Sequence, residues 1–88
     1  MIMAKQRASV PEAISASLLE VAETLDEQGK VHQALAAYLK LIEHYPDGQD
    51  VPVAIERVLA IADEFRQKGQ YHVAMRTFDR LEAAYQGQ

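Results

Sequence analysis

The chain has 88 residues and no cysteine, which excludes disulfides, thiolate catalysis and cysteine-ligated zinc sites. Aspartates and glutamates number 13 against 9 lysines and arginines, so the formal net charge of −4 repels a phosphate backbone and argues against nucleic acid as a partner. No apolar run approaches the ~20 residues that span a membrane, and the start has no signal-peptide pattern, so we expect a cytoplasmic protein without membrane partners.

The first predicted helix covers residues 11–28, and residues 1–10 are expected to form an N-terminal tail ahead of a domain at 11–88. Pro11 fits the first turn of a helix, where its missing N–H is not needed. Apolar residues then recur every three or four positions, which indicates one buried helix face. Gly29 ends the helix, since glycine readily adopts the left-handed conformation of a C-terminal cap. The apolar positions are Ile14, Leu18, Val21, Ala22 and Leu25.

Three further helices with the same apolar spacing are predicted at 31–45, 51–68 and 71–86. Pro46 cannot continue the second helix, and Asp50 suits the N-cap of the third. The short connections between the helices favour antiparallel neighbours. The sequence therefore predicts an all-α fold of two antiparallel helical hairpins.

A shift of 40 residues aligns the two halves of the chain without a gap. Small alanines recur where the two helices of a hairpin must approach closely, and large apolar side chains recur beside them. A glycine recurs at the reversal between the helices of each half. The identical pairs are Leu19 and Leu59, Ala22 and Ala62, Gly29 and Gly69, His32 and His72, Ala34 and Ala74, Leu41 and Leu81, and Tyr45 and Tyr85.

The order of small and large residues in each half resembles the tetratricopeptide repeat (TPR). The first copy has Leu18, Val21, Ala22, Leu25, Ala34, Tyr38, Leu41 and Pro46. The second copy has Val58, Ile61, Ala62, Phe65, Ala74, Phe78 and Leu81. The period is 40 residues, whereas that of the family is about 34, and Gln86 replaces the closing proline in the second copy. The resemblance implies a short solenoid of two stacked hairpins, with repeats at about 11–48 and 51–88; a plain four-helix bundle is the alternative.

The resemblance also implies a function, because in tetratricopeptide proteins the odd-numbered helices line a concave groove that holds a protein partner. Here that groove is expected to be acidic with an apolar floor, which suits a basic or amphipathic segment of another protein. The chain is then a protein–protein interaction adaptor. The alternative is that the same residues form ordinary solvated helix faces. The expected groove residues are Leu19, Glu23, Asp26, Glu27, Glu56, Leu59, Asp63 and Arg66.

The histidines give no sign of catalysis or of metal binding. His32, His44 and His72 lack the Glu-x-x-His spacing of di-iron bundles, and no two of them are four residues apart. No glycine-rich phosphate loop is present either. We therefore expect no enzyme activity, no cofactor and no metal.

Two other functions compete with the adaptor. A stable stack usually needs three repeats, so a self-assembling structural subunit, in the simplest case a homodimer, is the alternative. A DNA-binding helix-turn-helix is less favoured, since Arg76 and Arg80 on the fourth helix lie beside acidic residues. Two of these, Asp79 and Glu82, replace apolar residues of the second helix, so we expect the stack to end with the fourth helix.

Overall fold

The computed structural model describes residues 2–86, with side chains from residue 10 onward. Its helices are α1 (Ile2–Glu27), α2 (Val31–His44), α3 (Val51–Gln67) and α4 (Tyr71–Gln86). The described residues contain no strand, which confirms the predicted all-α fold. The bounds of α2, α3 and α4 agree with the predicted ones to within one residue. Residues 87 and 88 of the predicted domain lie outside the described residues.

The helices pack as two hairpins in a row. α1 packs on α2, and α3 packs on α4. α2 also packs on both α3 and α4, so it holds the two hairpins together. α1 contacts α3 much less than α2 does. The arrangement therefore leaves α1 and α4 at the two ends of the stack.

α1 begins at Ile2, so the predicted start at Pro11 is wrong. A proline inside a helix lacks the N–H that would bond to the carbonyl four residues earlier, which is why the sequence pattern placed it in the first turn. Residues 2–8 are mostly methionine, alanine, lysine, glutamine and arginine, which are strong helix formers and continue the helix upstream of the proline. The expected tail, residues 1–10, is thus helical from its second residue; its first residue lies outside the described residues. A domain that starts at residue 11 stays a prediction.

The core is centred on α2. Leu35, Tyr38, Leu41 and Ile42 of this helix are each at most 1% exposed. The four alanines expected at helix contacts are also buried, and none is more than 3% exposed. Because an alanine side chain ends at Cβ, two helix backbones can approach closely there, and the larger side chains fill the remaining space.

Two apolar positions of α1 that the sequence placed on its buried face are half exposed in the structure. Ile14 is 49% exposed and Val21 is 52% exposed. Periodicity reports that a helix has an apolar face, but it does not report whether a neighbour covers the whole of that face. α1 stands at the end of the stack, where α2 is its main neighbour.

Both hairpins reverse direction through the same backbone turn. Gly29 has a φ of 78° and Gly69 a φ of 79°. The Lys30 amide donates to the Leu25 carbonyl at 2.9 Å, and the matching bond 40 residues later is 2.8 Å long. This is the six-to-one hydrogen bond of a Schellman motif, which uses carbonyls left free at the end of a helix. The internal repeat seen in the sequence is therefore also present in the turn geometry.

The connection between the hairpins is held by a different contact. The Ser15 hydroxyl of α1 donates to the Asp50 carboxylate at 3.0 Å, and Ser15 is only 3% exposed. Asp50 does precede α3, as predicted, but its side chain forms no capping hydrogen bond with that helix. A second contact joins the start of α2 to the end of α3, where the rings of His32 and Phe65 stack with centroids 5.6 Å apart.

Alanine at either turn glycine is expected to destabilise the protein. A Cβ added at Gly29 or Gly69 meets no atom within 4 Å, so the cost comes from the left-handed backbone and not from a clash. We expect Gly29→Ala and Gly69→Ala each to lower the free energy of unfolding in urea by about 1–2 kcal/mol. Gly29→Asn should lose less, because asparagine tolerates this conformation. Unchanged stability in both alanine variants would contradict the assignment of the two turns.

Candidate functional site

An ion pair joins α1 to α3 within the predicted groove. Arg57 of α3 donates to the carboxylate of Asp26 on α1. The Asp26 side chain is 15% exposed and that of Arg57 is 48% exposed, so the pair lies at the boundary between the interior and the solvent. The hydrogen bond to Asp26 raises the pKa of Arg57, which keeps the guanidinium charged. This contact holds the C-terminal end of α1 against α3.

Tyr38 of α2 is fully buried next to this ion pair. Its hydroxyl meets no hydrogen-bond partner of good geometry among the described residues. Burial raises the pKa of Tyr38, the nearby Arg57 lowers it, and the negative charge of Asp26 raises it again. The buried phenol therefore stays protonated more strongly than an exposed one, and the lack of a well-aligned hydrogen-bond partner costs stability.

A surface cavity of about 320 Å³ opens beside the ion pair, and Glu23, Glu27 and Arg57 line it. Glu23 and Glu27 are exposed and stand one turn apart on α1. Neither forms an ion pair within residues 10–86. Two carboxylates at this spacing repel each other. The cavity therefore carries negative charge that the described part of the chain does not neutralise.

The other predicted groove residues are placed less closely together. Leu19 of α1 is partly buried, and Leu59 of α3 is 42% exposed. Asp63 accepts hydrogen bonds of 3.0 Å and 2.6 Å from Arg66, which holds the pKa of Asp63 below its usual value. Glu56 is exposed. The structure thus brings two of the three predicted α1 carboxylates, Glu23 and Glu27, to one cavity, whereas the four predicted α3 residues do not line it.

The sequence did not indicate Arg57, which lines this cavity with the two glutamates. At a shift of 40 residues Arg57 aligns with Ser17, so the internal repeat carries no signal at this position. An arginine on an exposed helix face is ordinarily solvated. Its role follows from the partly buried Asp26, which needs a cation near it.

Residues 16–48 match the family model described as Tetratricopeptide repeat. The first hairpin is therefore similar to a tetratricopeptide repeat. The matched segment runs from within α1 through α2 to the loop that follows, which is the first hairpin. No curated protein and no solved structure matches the chain significantly. A second tetratricopeptide copy in α3 and α4, with a period of 40 residues, stays a prediction.

Within residues 10–86, no group of three or more histidine, aspartate or glutamate side chains is placed to hold a metal ion. None of the described helices is long and apolar enough to cross a membrane. Arg76 and Arg80 are exposed on α4, and Arg80 lies in a pocket with Lys40 and Glu43.

The two partners of the ion pair are expected to differ in their effect on stability. Arg57→Gln leaves the mostly buried Asp26 carboxylate without a cation, so we expect a loss of about 1–3 kcal/mol in the free energy of unfolding. Asp26→Asn leaves a half-exposed guanidinium that water can solvate, so the loss should be below about 1 kcal/mol. The double variant should lose less than the two losses added together. Urea unfolding measures all three; additive losses would mean that the two residues do not interact.

Tyr38→Phe is expected to reduce the loss of stability at high pH. Because the folded-state pKa of Tyr38 is raised above its ordinary value of 10.0, the unfolded chain releases this proton first. Its stabilising contribution is complete below about pH 10 and is lost as the pH rises through the folded-state pKa. Thermal unfolding at several alkaline pH values should show a smaller decline for Tyr38→Phe than for the wild type. Tyr71→Phe, which removes an exposed hydroxyl, is the control and should follow the wild type.

Proposed function

We propose that the chain is a protein-interaction adaptor that holds a basic or amphipathic segment of a partner protein in the groove of α1 and α3. The tetratricopeptide match supports a protein partner, since such repeats mediate protein–protein interactions. The observation that carries the proposal is the cavity where Glu23 and Glu27 stand without a cation of their own.

A cation from a partner is the group that this cavity accepts best. A lysine or arginine side chain placed between Glu23 and Glu27 removes their mutual repulsion and forms charge-assisted hydrogen bonds. The guanidinium of Arg57 is already bound to Asp26. An acidic segment would meet the two free carboxylates first and be repelled.

An amphipathic segment also needs apolar contacts, and both groove helices supply one. Leu19 is partly exposed on α1, and Leu59 is 42% exposed on α3. The charged rim then sets the orientation and the choice of partner, while the leucines contribute apolar burial. The chain acts through binding rather than catalysis. The absence of cysteine is compatible with the proposed cytoplasmic location.

The test compares two fluorescent amphipathic peptides of equal length, one rich in lysine and leucine and the other rich in glutamate and leucine. Fluorescence anisotropy should show binding of the lysine peptide and its weakening as salt rises. Glu23→Lys plus Glu27→Lys should lower that affinity by at least about tenfold, which corresponds to about 1.4 kcal/mol. The glutamate peptide should not bind the wild type.

A matched control separates the groove from the net charge of the chain. Glu43→Lys plus Asp79→Lys changes the net charge by the same amount, and both residues are exposed on the even-numbered helices. This control should bind the lysine peptide nearly as well as the wild type. Equal loss in the two double variants would show that net charge, and not the groove, attracts the peptide. No binding of either peptide to the wild type would contradict the proposal.

A further inference from the structure

The side of α1 away from the groove carries an uncovered line of apolar residues, here called the outer stripe, which consists of Ile14, Leu18, Val21 and Leu25. Ile14 and Val21 are about half exposed, and Leu18 and Leu25 are partly exposed. The stripe borders a surface cavity of about 380 Å³ that Lys40 of α2 also lines. Such a line of apolar side chains on an acidic chain calls for a covering element.

The internal repeat shows what kind of element covers such a stripe. The residues 40 positions later are Ala54, Val58, Ile61 and Phe65 of α3, and none is more than 7% exposed. α3 differs from α1 in having a second main neighbour, since it packs on the preceding helix α2 as well as on its hairpin partner α4. The uncovered residues of α1 therefore correspond to the surface that a preceding helix covers in α3.

The spacing of the stripe agrees with a helix as its partner. The positions 14, 18, 21 and 25 alternate steps of four and three residues. This is the spacing of two helices that pack at a small crossing angle. The residues along the solvent margin of the stripe are small and uncharged, and they allow close approach of a second helix. These margin residues are Ala13, Ser17 and Thr24.

A copy of this chain does not supply that helix in head-to-tail fashion. In such a stack α4 of one copy would take the place that α2 has against α3. At the positions where α2 buries Leu39 and Ile42, α4 carries the exposed Asp79 and Glu82. Burying two carboxylates against the apolar stripe is strongly unfavourable.

We propose that the outer stripe is the contact of a symmetric homodimer, in which α1 of one copy packs on α1 of the other. A two-fold contact places a surface against itself, so a margin charged with one sign would repel its own copy. The solvent margin of the stripe on α1 is uncharged, although the chain as a whole has a net charge of −4, and the margin toward α2 carries Lys40.

The dimer contact is separate from the groove. At 100° per residue, Glu23 lies about half a helix circumference from Ile14 and Val21. The dimer therefore presents two open grooves, and the dimer contact does not depend on what the grooves bind.

The first test is the mass of the whole chain in solution. Sedimentation at micromolar concentration should give twice the monomer mass of 9.8 kDa. Ile14→Glu plus Val21→Glu should give the monomer mass with an unchanged far-ultraviolet helix signal. Tyr71→Glu plus Met75→Glu changes two equally exposed apolar residues on α4 and should leave the dimer intact.

Several outcomes would overturn the proposal. A monomeric wild type means that the outer stripe receives a helix from a different protein or segment. Masses that keep growing with concentration mean head-to-tail stacking. A dimer that survives Ile14→Glu plus Val21→Glu, or one that the α4 variant abolishes, places the contact elsewhere.

A second test does not depend on weakening the dimer. The chain has no cysteine, so a disulfide formed after one cysteine is introduced must join that residue to the same residue of a second copy. Ser17 is exposed beside Leu18, near the middle of the stripe, so Ser17→Cys should form a disulfide-linked dimer on mild oxidation. Met75→Cys should stay monomeric on a denaturing gel without reductant. The reverse result, or no cross-link in Ser17→Cys, would also overturn the symmetric contact.

Discussion

Burial of α2 against three other helices is the constraint on which the rest of the structure depends. α2 packs on α1, α3 and α4, and its largest core residues, Tyr38 and Leu35, have almost no exposed surface. A helix buried on so many sides has to be apolar around most of its circumference, whereas its neighbours need only one apolar side. The sequence of α2 agrees with this requirement, since Lys40, Glu43 and a few other polar residues lie on its narrow exposed side and the other positions are mostly apolar.

The two hairpins share the same spacing of apolar residues, but matching residues differ in burial and charge because their helices have different neighbours. Where α3 meets a preceding helix, Ala54 and Ile61 are buried; the matching Ile14 and Val21 of α1 are half exposed. Where α2 meets a following helix it has apolar residues, whereas α4 has carboxylates in contact with solvent. The exposed side of α1 is thus apolar, like the matching buried side of α3, whereas the exposed side of α4 is charged where the matching side of α2 is apolar. This asymmetry supports the proposed self-association through α1 and argues against stacking through α4.

The helices and the core positions could be predicted from the sequence because they depend on local rules. Apolar spacing, Gly29, Pro46 and Gly69 determine where α2, α3 and α4 begin and end, and the observed bounds agree to within one residue. The start of α1 was missed because a proline signal outweighed the strong helix formers before it. The two glycines predicted a turn after α1 and another after α3. That both turns contain the same six-to-one hydrogen bond is seen only in the structure.

In the candidate site, too, only the features that depend on local spacing could be predicted from the sequence. The α1 carboxylates Glu23 and Glu27 share one helix face by periodicity, so their proximity was predictable. The contacts between α1 and the region of α3 were not, because Ser15 with Asp50 and Asp26 with Arg57 are pairs separated by 35 and 31 residues. No local rule relates residues so far apart in the sequence, and the internal repeat does not help, since neither pair recurs in the second hairpin.

Those two contacts add to the packing of α1 on α2, and the resulting orientation places the proposed groove and the outer stripe on opposite sides of α1. Ser15 and Asp26 are eleven residues apart, which is about three helical turns and about 16 Å, so both lie on the same side of α1. Held by polar bonds at both points, α1 has little freedom to rotate about its axis. The side with Glu23 and Glu27 then faces the groove, while the side with Ile14 and Val21 faces away from the stack. In the proposed dimer, the contact through that outer side leaves both proposed grooves accessible, so two weak sites would bind a partner with two basic segments more tightly than either site does by itself.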